Sequence, residues 1–225
     1  VRATLDGIGI EKIFPLHSPY IAKIVVLDYG IGNLQSVINA CQRVNQPTFL
    51  VQSPADFQRA SALILPGVAA FDQGMKNLEA RGFVGPIREA ALQDKKPLLG
   101  LCLGMQLFAD WGSEGDGHAG LGLIPGTVER LDDSVLRVPH VGWNNIELNP
   151  SSACPIQLRN NVDFYFVHSY YFKAKHDADV VAWTDYGARF ASIIGKENIL
   201  GCQFHPEKSH GAGMELLAAF FRTLC

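Results

Sequence analysis

Short apolar runs alternate with helix-like segments in the chain from Ile24 to about residue 111. The run Ile24–Leu27 is apolar at every position, which is typical of a strand buried on both faces of a parallel sheet. Similar runs predict strands at 49–51, 62–65 and 97–101, and the segments between and after them predict helices at 33–44, 71–80, 84–93 and 103–111. Such alternation indicates a doubly wound α/β sheet.

The pattern changes after Gly112, where the chain becomes rich in glycine and is predicted to form a loop. Apolar runs at 164–167, 180–183 and 191–194 then predict antiparallel or mixed strands. A closing amphipathic helix is predicted from apolar residues at i, i+3, i+4 and i+7, namely Met214, Leu217, Ala218 and Phe221. We therefore expect an α/β fold in which a doubly wound, mostly parallel central sheet is flanked by helices and accompanied by an antiparallel or mixed sheet region.

Residues 1–22 do not share this pattern, because Pro15 and Pro19 interrupt any period and the segment has no long apolar core ending in a cleavage site. We interpret them as an N-terminal extension, not as a signal peptide, and expect a single domain at 23–225.

Composition excludes several function classes. Charged residues make up 18% of the 225 residues, below the roughly 25% of average domains, and the net charge is −3. Nucleic acids and anionic membranes are therefore not expected partners, and no apolar run approaches the ~18 residues of a membrane span. The five cysteines show no metal-binding spacing, so we expect a reducing, cytoplasmic compartment, no metal and no cofactor.

A candidate nucleophile lies where the strand at 97–101 meets the next helix. Gly100, Cys102 and Gly104 form a G-x-C-x-G pattern, similar to the turn that lifts a nucleophile out of a sheet, and the start of a helix there would favour a thiolate. This composition gives about 0.05 such patterns per chain by chance. A small buried thiol at a tight turn remains the alternative.

A cysteine nucleophile needs a base and a group that orients the base. The segment His205-Pro206-Glu207 offers both, because a residue before proline favours extended backbone and alternate residues of an extended segment share a face. A surface histidine beside a turn is the alternative interpretation.

An oxyanion hole requires backbone N–H donors near the nucleophile. The turn at Gly67 and Val68 ends the strand at 62–65 at the same sheet edge as Cys102, and the Leu103 amide is a second candidate donor. A dinucleotide-binding loop at 30–32 is the competing phosphate-binding motif, but Gln35 stands where its third glycine belongs. We interpret 30–32 as a strand-to-helix turn capped by Asn33.

Five motifs together carry a family resemblance. Pro-Gly-Val at 66–68, the segment at 100–106 and the segment at 203–207 resemble the class I (triad-type) glutamine amidotransferases. Within this class, the segments at 139–144 and 165–170, with Gly-Met-Gln at 104–106, are similar to the glutaminase subunit of imidazole glycerol phosphate synthase, an enzyme of histidine biosynthesis. The resemblance covers 23–225.

The resemblance implies that Cys102 attacks the side-chain amide of glutamine, that His205 transfers protons and that Glu207 orients His205. It also implies a substrate pocket, whose residues are Gln106 and Glu114 through their side chains and Ser169 and Tyr170 through their backbone. Ala69 departs from the family, which commonly has glycine there, so a flip of this segment is expected to be hindered.

The implied partner is a (β/α)₈ cyclase subunit that receives ammonia in a heterodimer. The residues expected to face that partner, with the 140–144 segment lying against the oxyanion strand, are His140, Trp143, Asn144 and Lys208. Two alternatives stay open: another amidotransferase, of the anthranilate or aminodeoxychorismate type, and a cysteine peptidase or non-catalytic binding module. Met105 argues against the first, because related synthases usually have histidine at that position.

Overall fold

The computed structural model describes residues 24–134, 136–154 and 156–222. The predicted extension at 1–22 and Cys225 therefore lie outside the described residues. Among the helices that are described, none has the length and apolar character needed to cross a membrane.

The described elements alternate between strands and helices up to residue 106 and are mainly strands afterwards. The strands are β1 (Ile24–Leu27), β2 (Thr48–Val51), β3 (Ala62–Leu65), β4 (Leu98–Leu101), β5 (Trp111–Gly112), β6 (His118–Ala119), β7 (Gly126–Arg130), β8 (His140–Leu148), β9 (Val162–His168), β10 (Tyr170–Ala174), β11 (Val180–Tyr186), β12 (Ala188–Lys196) and β13 (Ile199–Cys202). The helices are α1 (Leu34–Arg43), α2 (Phe71–Ala80), α3 (Val84–Leu92), α4 (Leu103–Gln106) and α5 (His210–Arg222), with 3₁₀ turns at Pro54–Arg59, Asp177–Asp179 and Pro206–Lys208.

Nine of the described strands form one sheet in the order β2-β1-β3-β4-β13-β12-β11-β8-β9. The pairs from β2 to β13 are parallel, and those from β13 to β9 are antiparallel. The remaining four strands form a second sheet, β10-β7-β5-β6. The predicted fold class is confirmed, and the antiparallel strands extend the parallel sheet itself.

The two faces of the parallel half bury separate apolar clusters. Val25 and Leu27 of β1 pack with residues of α2 and α3, whereas Ile24 and Val26 pack with residues of α1 and α5. Because successive side chains of a strand point to opposite faces, a strand with helices on both sides must be apolar throughout. This explains why β1, β3, β4 and β13 are buried at every residue.

The helix predicted at 103–111 is wrong beyond Gln106. The carbonyls of Leu107, Phe108 and Ala109 accept hydrogen bonds from amides of the loop at 121–124, at 2.8–3.1 Å, so they are not available for further helical turns. The glycine-rich region after Gly112 likewise contains β6 and β7 of the second sheet, which sequence periodicity did not predict.

Close packing between α4 and the end of β3 requires glycine at position 104. A Cβ on Gly104 would lie 1.7 Å from the Leu65 carbonyl oxygen, far inside van der Waals contact. The first turn of α4 therefore rests directly on the backbone that leads into the Pro66–Val68 segment.

We expect Gly104→Ala to lower the free energy of unfolding by about 3 kcal/mol, because backbone must move to accept the methyl group. Gly85→Ala is the matched control: it lies in α3, where a Cβ meets no atom within 4 Å, and it should leave stability unchanged or raise it by about 0.5–1 kcal/mol. Urea unfolding of both variants measures the difference, and equal stabilities would contradict the packing argument.

Candidate active site

Cys102 occupies a tight turn between β4 and α4. Its backbone has φ 53° and ψ −109°, a left-handed conformation that residues with a Cβ rarely adopt. The turn is held from β13, because the Cys102 amide donates a 2.8 Å hydrogen bond to the Cys202 carbonyl. The thiol is thereby placed at the carboxyl edge of the parallel strands, in a buried position that is 7% exposed.

His205 follows β13 and lies beside this thiol. Its backbone is extended, with φ −101° and ψ 93°, and its amide donates a 2.9 Å hydrogen bond to the Tyr165 carbonyl. The ring Nδ1 lies 2.8 Å from Glu207 Oε1, and both side chains are buried. Since Nδ1 is occupied by Glu207, Nε2 is the ring nitrogen left for Cys102, which lines the same cavity and interacts electrostatically with His205.

The groups around His205 stabilise its protonated form. Burial acts to lower its pKa, but the hydrogen bonds and negative charges of Cys102 and Glu207 outweigh burial and raise the pKa to about 10. A cationic imidazole beside a cysteine is the arrangement that stabilises a thiolate, which is the nucleophilic form of the side chain. The three residues can therefore generate a nucleophile and hold the proton it gives up.

The other described cysteines lack such a partner. Burial raises the pKa of Cys41 to about 12 and raises the pKa values of Cys154 and Cys202 as well, and the negative charge of Glu207 adds to the effect at Cys41 and Cys202. These thiols therefore stay protonated near neutral pH, as expected for packing side chains.

Gln203 is a site residue that the sequence reasoning did not assign. It is fully buried, its Nε2 donates to Cys102 Sγ at 3.7 Å, and its Oε1 accepts from Gln106 Nε2 at 3.0 Å. Gln106 Nε2 also donates to the Tyr170 carbonyl at 2.8 Å. The available signal was its place two residues before His205 in the same short segment, on the same face of extended backbone.

One cavity of about 590 Å³ collects most of the predicted site residues. It is lined by Asn33, Val68, Ala69, Cys102, Leu103, Gln106, Glu114, Pro139, Val167, His168, Ser169, Tyr170, His205 and Lys208. Glu207 lies behind His205, outside this lining. Within the described ranges, no cluster of three or more His, Cys, Asp or Glu side chains is arranged to hold a metal ion.

Glu114 places a carboxylate at this cavity. Its Oε2 accepts a 2.9 Å hydrogen bond from the Phe71 amide, which orients the side chain. Burial is the largest influence and raises the pKa of Glu114, while the Phe71 N–H acts in the opposite direction. An ammonium group beside a half-buried carboxylate of this kind stabilises its charged form, because it compensates for the solvation lost on burial.

Tyr29 contacts the Pro66–Val68 segment from the protein interior. The buried Tyr29 hydroxyl donates a 2.6 Å hydrogen bond to the Pro66 carbonyl. A Cβ on Gly67 would lie 2.5 Å from that hydroxyl and 2.8 Å from Leu103 Cβ, so only glycine fits there. Ala69 is exposed and is not among the described residues with positive φ.

The predicted partner-facing residues on β8 point in different directions, because successive side chains of a strand lie on opposite faces of the sheet. This strand pairs with β9 and β11 rather than with the Pro66–Val68 segment, and Pro139 just before it is the residue that reaches the cavity. Trp143 points outward and is 49% exposed, whereas His140 points inward and is 3% exposed. Asn144 is half-buried and Lys208 is exposed. His140 therefore cannot meet a partner through its side chain in this arrangement.

The turn at 30–32 has the conformation expected of a strand-to-helix connection. Gly30 and Gly32 have φ values of 86° and 120°, and the Asn33 side chain accepts a 3.4 Å hydrogen bond from the Ser36 amide as the cap of α1. Asn33 also lines the cavity, which the sequence did not indicate.

Two protein-family models match the sequence of this chain. The model of the family "Glutamine amidotransferase class-I" matches residues 25–224. A second model, "Ribosomal protein L19", matches only residues 1–33.

Two similar proteins are both named as subunits of imidazole glycerol phosphate synthase. The imidazole glycerol phosphate synthase subunit HisH 1 of Campylobacter jejuni strain 81-176 is 44% identical over 200 residues, covering 88% of this chain and 99% of that protein. The subunit HisH of Streptococcus sanguinis strain SK36 is 44% identical over 199 residues, covering 88% and 94%.

Solved structures share the fold at lower sequence identity. A crystal structure of a glutamine amidotransferase has a TM-score of 0.70 at 19% identity, covering 89% of this chain and 98% of that one. The structure of PurLQS from Thermotoga maritima has a TM-score of 0.72 at 15% identity, covering 91% and 100%. At these identities the likeness concerns the fold alone.

We expect Glu207→Gln to lower the pKa of His205 from about 10 towards its ordinary value of 6.5, because a negative charge beside the ring is removed. Since the folded pKa is raised, the stability that His205 contributes is fully present below about pH 6.5 and is lost as the pH rises through about 10. Histidine NMR titration of the original protein and of the variant measures the shift. An unchanged His205 titration would refute the assignment.

Proposed function

The chain belongs to the class I glutamine amidotransferase family, and we propose that it is the glutaminase subunit of an imidazole glycerol phosphate synthase, acting in histidine biosynthesis. The observation that carries the proposal is the buried Cys102, His205 and Glu207 set opening on a cavity that also contains the Glu114 carboxylate. The 44% identity with relatives named as subunits of that synthase indicates which amidotransferase it is.

The reaction begins with Cys102. Its proton passes to His205 Nε2, and the thiolate sulfur attacks the side-chain amide carbon of glutamine. His205 then returns the proton to the amide nitrogen, the carbon–nitrogen bond breaks, and ammonia leaves a glutamyl thioester. Water, deprotonated by His205, adds to the thioester carbon, and glutamate departs as the thiol is restored. Glu207 holds the ring in one tautomer and stabilises its charged form throughout.

The amino-acid end of glutamine binds at the other polar groups of the cavity. The Glu114 carboxylate is the partner for the substrate ammonium group, with its Oε2 already oriented by the Phe71 amide. Gln106 uses its amide N–H groups on Tyr170 and Gln203, so its oxygen is the atom left to accept from the substrate. Ser169 and Tyr170 contribute backbone groups to the same cavity.

The transition state carries negative charge on the former amide oxygen, which requires backbone donors. The candidates are the amides around Gly67 and Val68, and that of Leu103, because both segments adjoin the thiol. Tyr29 fixes the Pro66 carbonyl, so any reorientation must take place after Pro66. Ala69 lacks the backbone freedom of glycine, so a reorientation through positive φ costs more here.

Ammonia has to reach its acceptor without entering water, where it would be protonated and lost. An exposed apolar patch beside the cavity supports a sealed contact with a second subunit: it consists of Val68, Val141, Trp143 and Val167, each 36–55% exposed. Lys208 stands at the cavity rim next to Tyr165, with its Nζ 5.9 Å from the ring centre. The partner is a (β/α)₈ cyclase that uses ammonia to form imidazole glycerol phosphate and an aminoimidazole carboxamide ribotide.

We expect Cys102→Ala to lower glutamine-dependent synthase turnover by about 10³-fold or more, because the nucleophile is absent. Ammonia-dependent turnover by the complex should be unchanged, since it bypasses the thioester. Cys154→Ala is the matched control and should retain both activities, because its thiol lies outside the cavity lining. Steady-state assays with glutamine and with ammonium salts test this, and glutamine-driven turnover by Cys102→Ala would overturn the assignment.

We expect Trp143→Glu to weaken association with the cyclase subunit by about tenfold or more, because a charge would be buried in the apolar patch. Leu50→Glu is the control at the opposite edge of the sheet, on β2, where an equally exposed apolar residue is replaced (47% against 49%). Binding measured by calorimetry distinguishes the two variants. Equal affinities would show that the patch is not the interface.

A further inference from the structure

Two buried histidines link β8 to the wall of the cavity. His140 Nδ1 lies 3.0 Å from His168 Nε2, and His168 Nδ1 lies 2.9 Å from the Tyr170 carbonyl oxygen. The two residues are only 3% and 6% exposed. The reaction described above uses neither side chain, so their polar contacts need another explanation.

The Tyr170 carbonyl ends this series of hydrogen bonds, and it determines where each ring proton lies. The Tyr170 carbonyl can only accept, so His168 Nδ1 must carry a hydrogen. A neutral His168 then has a lone pair on Nε2, which requires His140 Nδ1 to donate. His140 Nε2 is left as an acceptor, and it faces the Asn144 amide nitrogen at 3.4 Å. Both rings are therefore neutral and carry their proton on Nδ1.

Burial keeps the pair in this state. It lowers the pKa of His140 to about 4 and that of His168 to about 3; the Tyr170 carbonyl acts in the opposite direction at His168, and the neighbouring charge of His205 lowers the pKa further. A second proton on His168 would point an N–H at the His140 N–H and break the contact between them. The direction of donation is thus stable around neutral pH.

Packing alone does not call for two histidines at this place. The surrounding rings are aromatic: Phe166 and Tyr186 stack on His140 at centroid distances of 4.9 and 3.9 Å, and Phe190 lies 5.0 Å from His168. A phenylalanine could fill such a space without the cost of burying polar nitrogens. The polar pair therefore indicates a requirement at the Tyr170 carbonyl that an apolar ring does not meet.

That carbonyl is shared with the substrate-binding network. It accepts from His168 Nδ1 and from Gln106 Nε2 at 2.9 and 2.8 Å, and Gln106 Nε2 also donates to Gln203 at 3.0 Å. With both amide hydrogens used, the Gln106 side chain has one orientation, with its oxygen free for a ligand. Gln203 continues the network to Cys102 Sγ at 3.7 Å.

We propose that His140 and His168 are a positioning pair, which holds the Tyr170 carbonyl and, through it, the Gln106 amide in the orientation that binds glutamine. The proposal rests on the glutaminase function stated above. It assigns to His140 a role behind the cavity wall instead of at the partner surface.

The test compares two substitutions of His168 in the complex with the cyclase. His168→Phe keeps the ring volume but removes the donor to Tyr170, and it should raise KM for glutamine about tenfold with kcat within about twofold. His168→Asn places an amide N–H where Nδ1–H was, and it should restore KM to within about twofold of the original protein. Ammonia-dependent turnover should be the same in all three proteins.

The outcomes separate the two hypotheses. An unchanged KM in His168→Phe, or an equal defect in His168→Asn, would overturn the positioning role. An original protein that shows no glutaminase activity with its cyclase would overturn the proposed function instead.

A measurement on the original protein does not depend on how the variants fold. Nitrogen-15 NMR of labelled histidines should show His140 and His168 as neutral Nδ1–H tautomers from pH 5 to 8. A proton on Nε2 of either ring, or titration within that range, would contradict the pair.

Discussion

The left-handed turn at Cys102 is the constraint on which the rest of the site depends. A residue with a Cβ in such a sparsely populated backbone conformation costs on the order of 1–3 kcal/mol, so it persists only where its neighbours determine it. β4 lies between β3 and β13, the Cys102 amide is bound by Cys202, and Gly104 brings α4 onto the Leu65 carbonyl. These contacts place the thiol beside the Pro66–Val68 segment and leave it little freedom to move.

β13 joins the two halves of the sheet and so completes the site. It pairs in parallel with β4, which carries the nucleophile, and antiparallel with β12, which leads to the strands around β9. Its continuation supplies Gln203 and His205, and Gln203 connects Cys102 with Gln106. The last of the described strands therefore brings the base to a nucleophile about a hundred residues earlier, while the antiparallel half provides the cavity wall. A change in the pairing of β13 would alter the nucleophile, the base and the wall together.

The alternation of side chains along β8 places interior hydrogen-bonding residues and exposed apolar residues within a few positions of each other. Alternate side chains point to opposite faces, so His140 enters the interior with half-buried Asn144 on the same face, while Val141 and Trp143 form part of the exposed apolar patch. The paired strand β9 does the same, with His168 inside and Val167 outside. A subunit seated on the patch would contact the same two strands that hold the Tyr170 carbonyl. The interior hydrogen bonds and the outer surface are thereby part of one pair of strands.

The sequence alone determined the features that depend on local rules. Fully apolar runs identified the central strands, the glycines around Cys102 indicated a tight turn, and the proline after His205 indicated an extended segment that turns two side chains to one face. Tertiary structure decided where α4 ends, because the 121–124 loop takes the carbonyls that a longer helix needs. It also decided that His140 points inward and that Gln203 reaches the thiol. These outcomes depend on hydrogen bonds between residues far apart in the chain, whose partners no local pattern specifies.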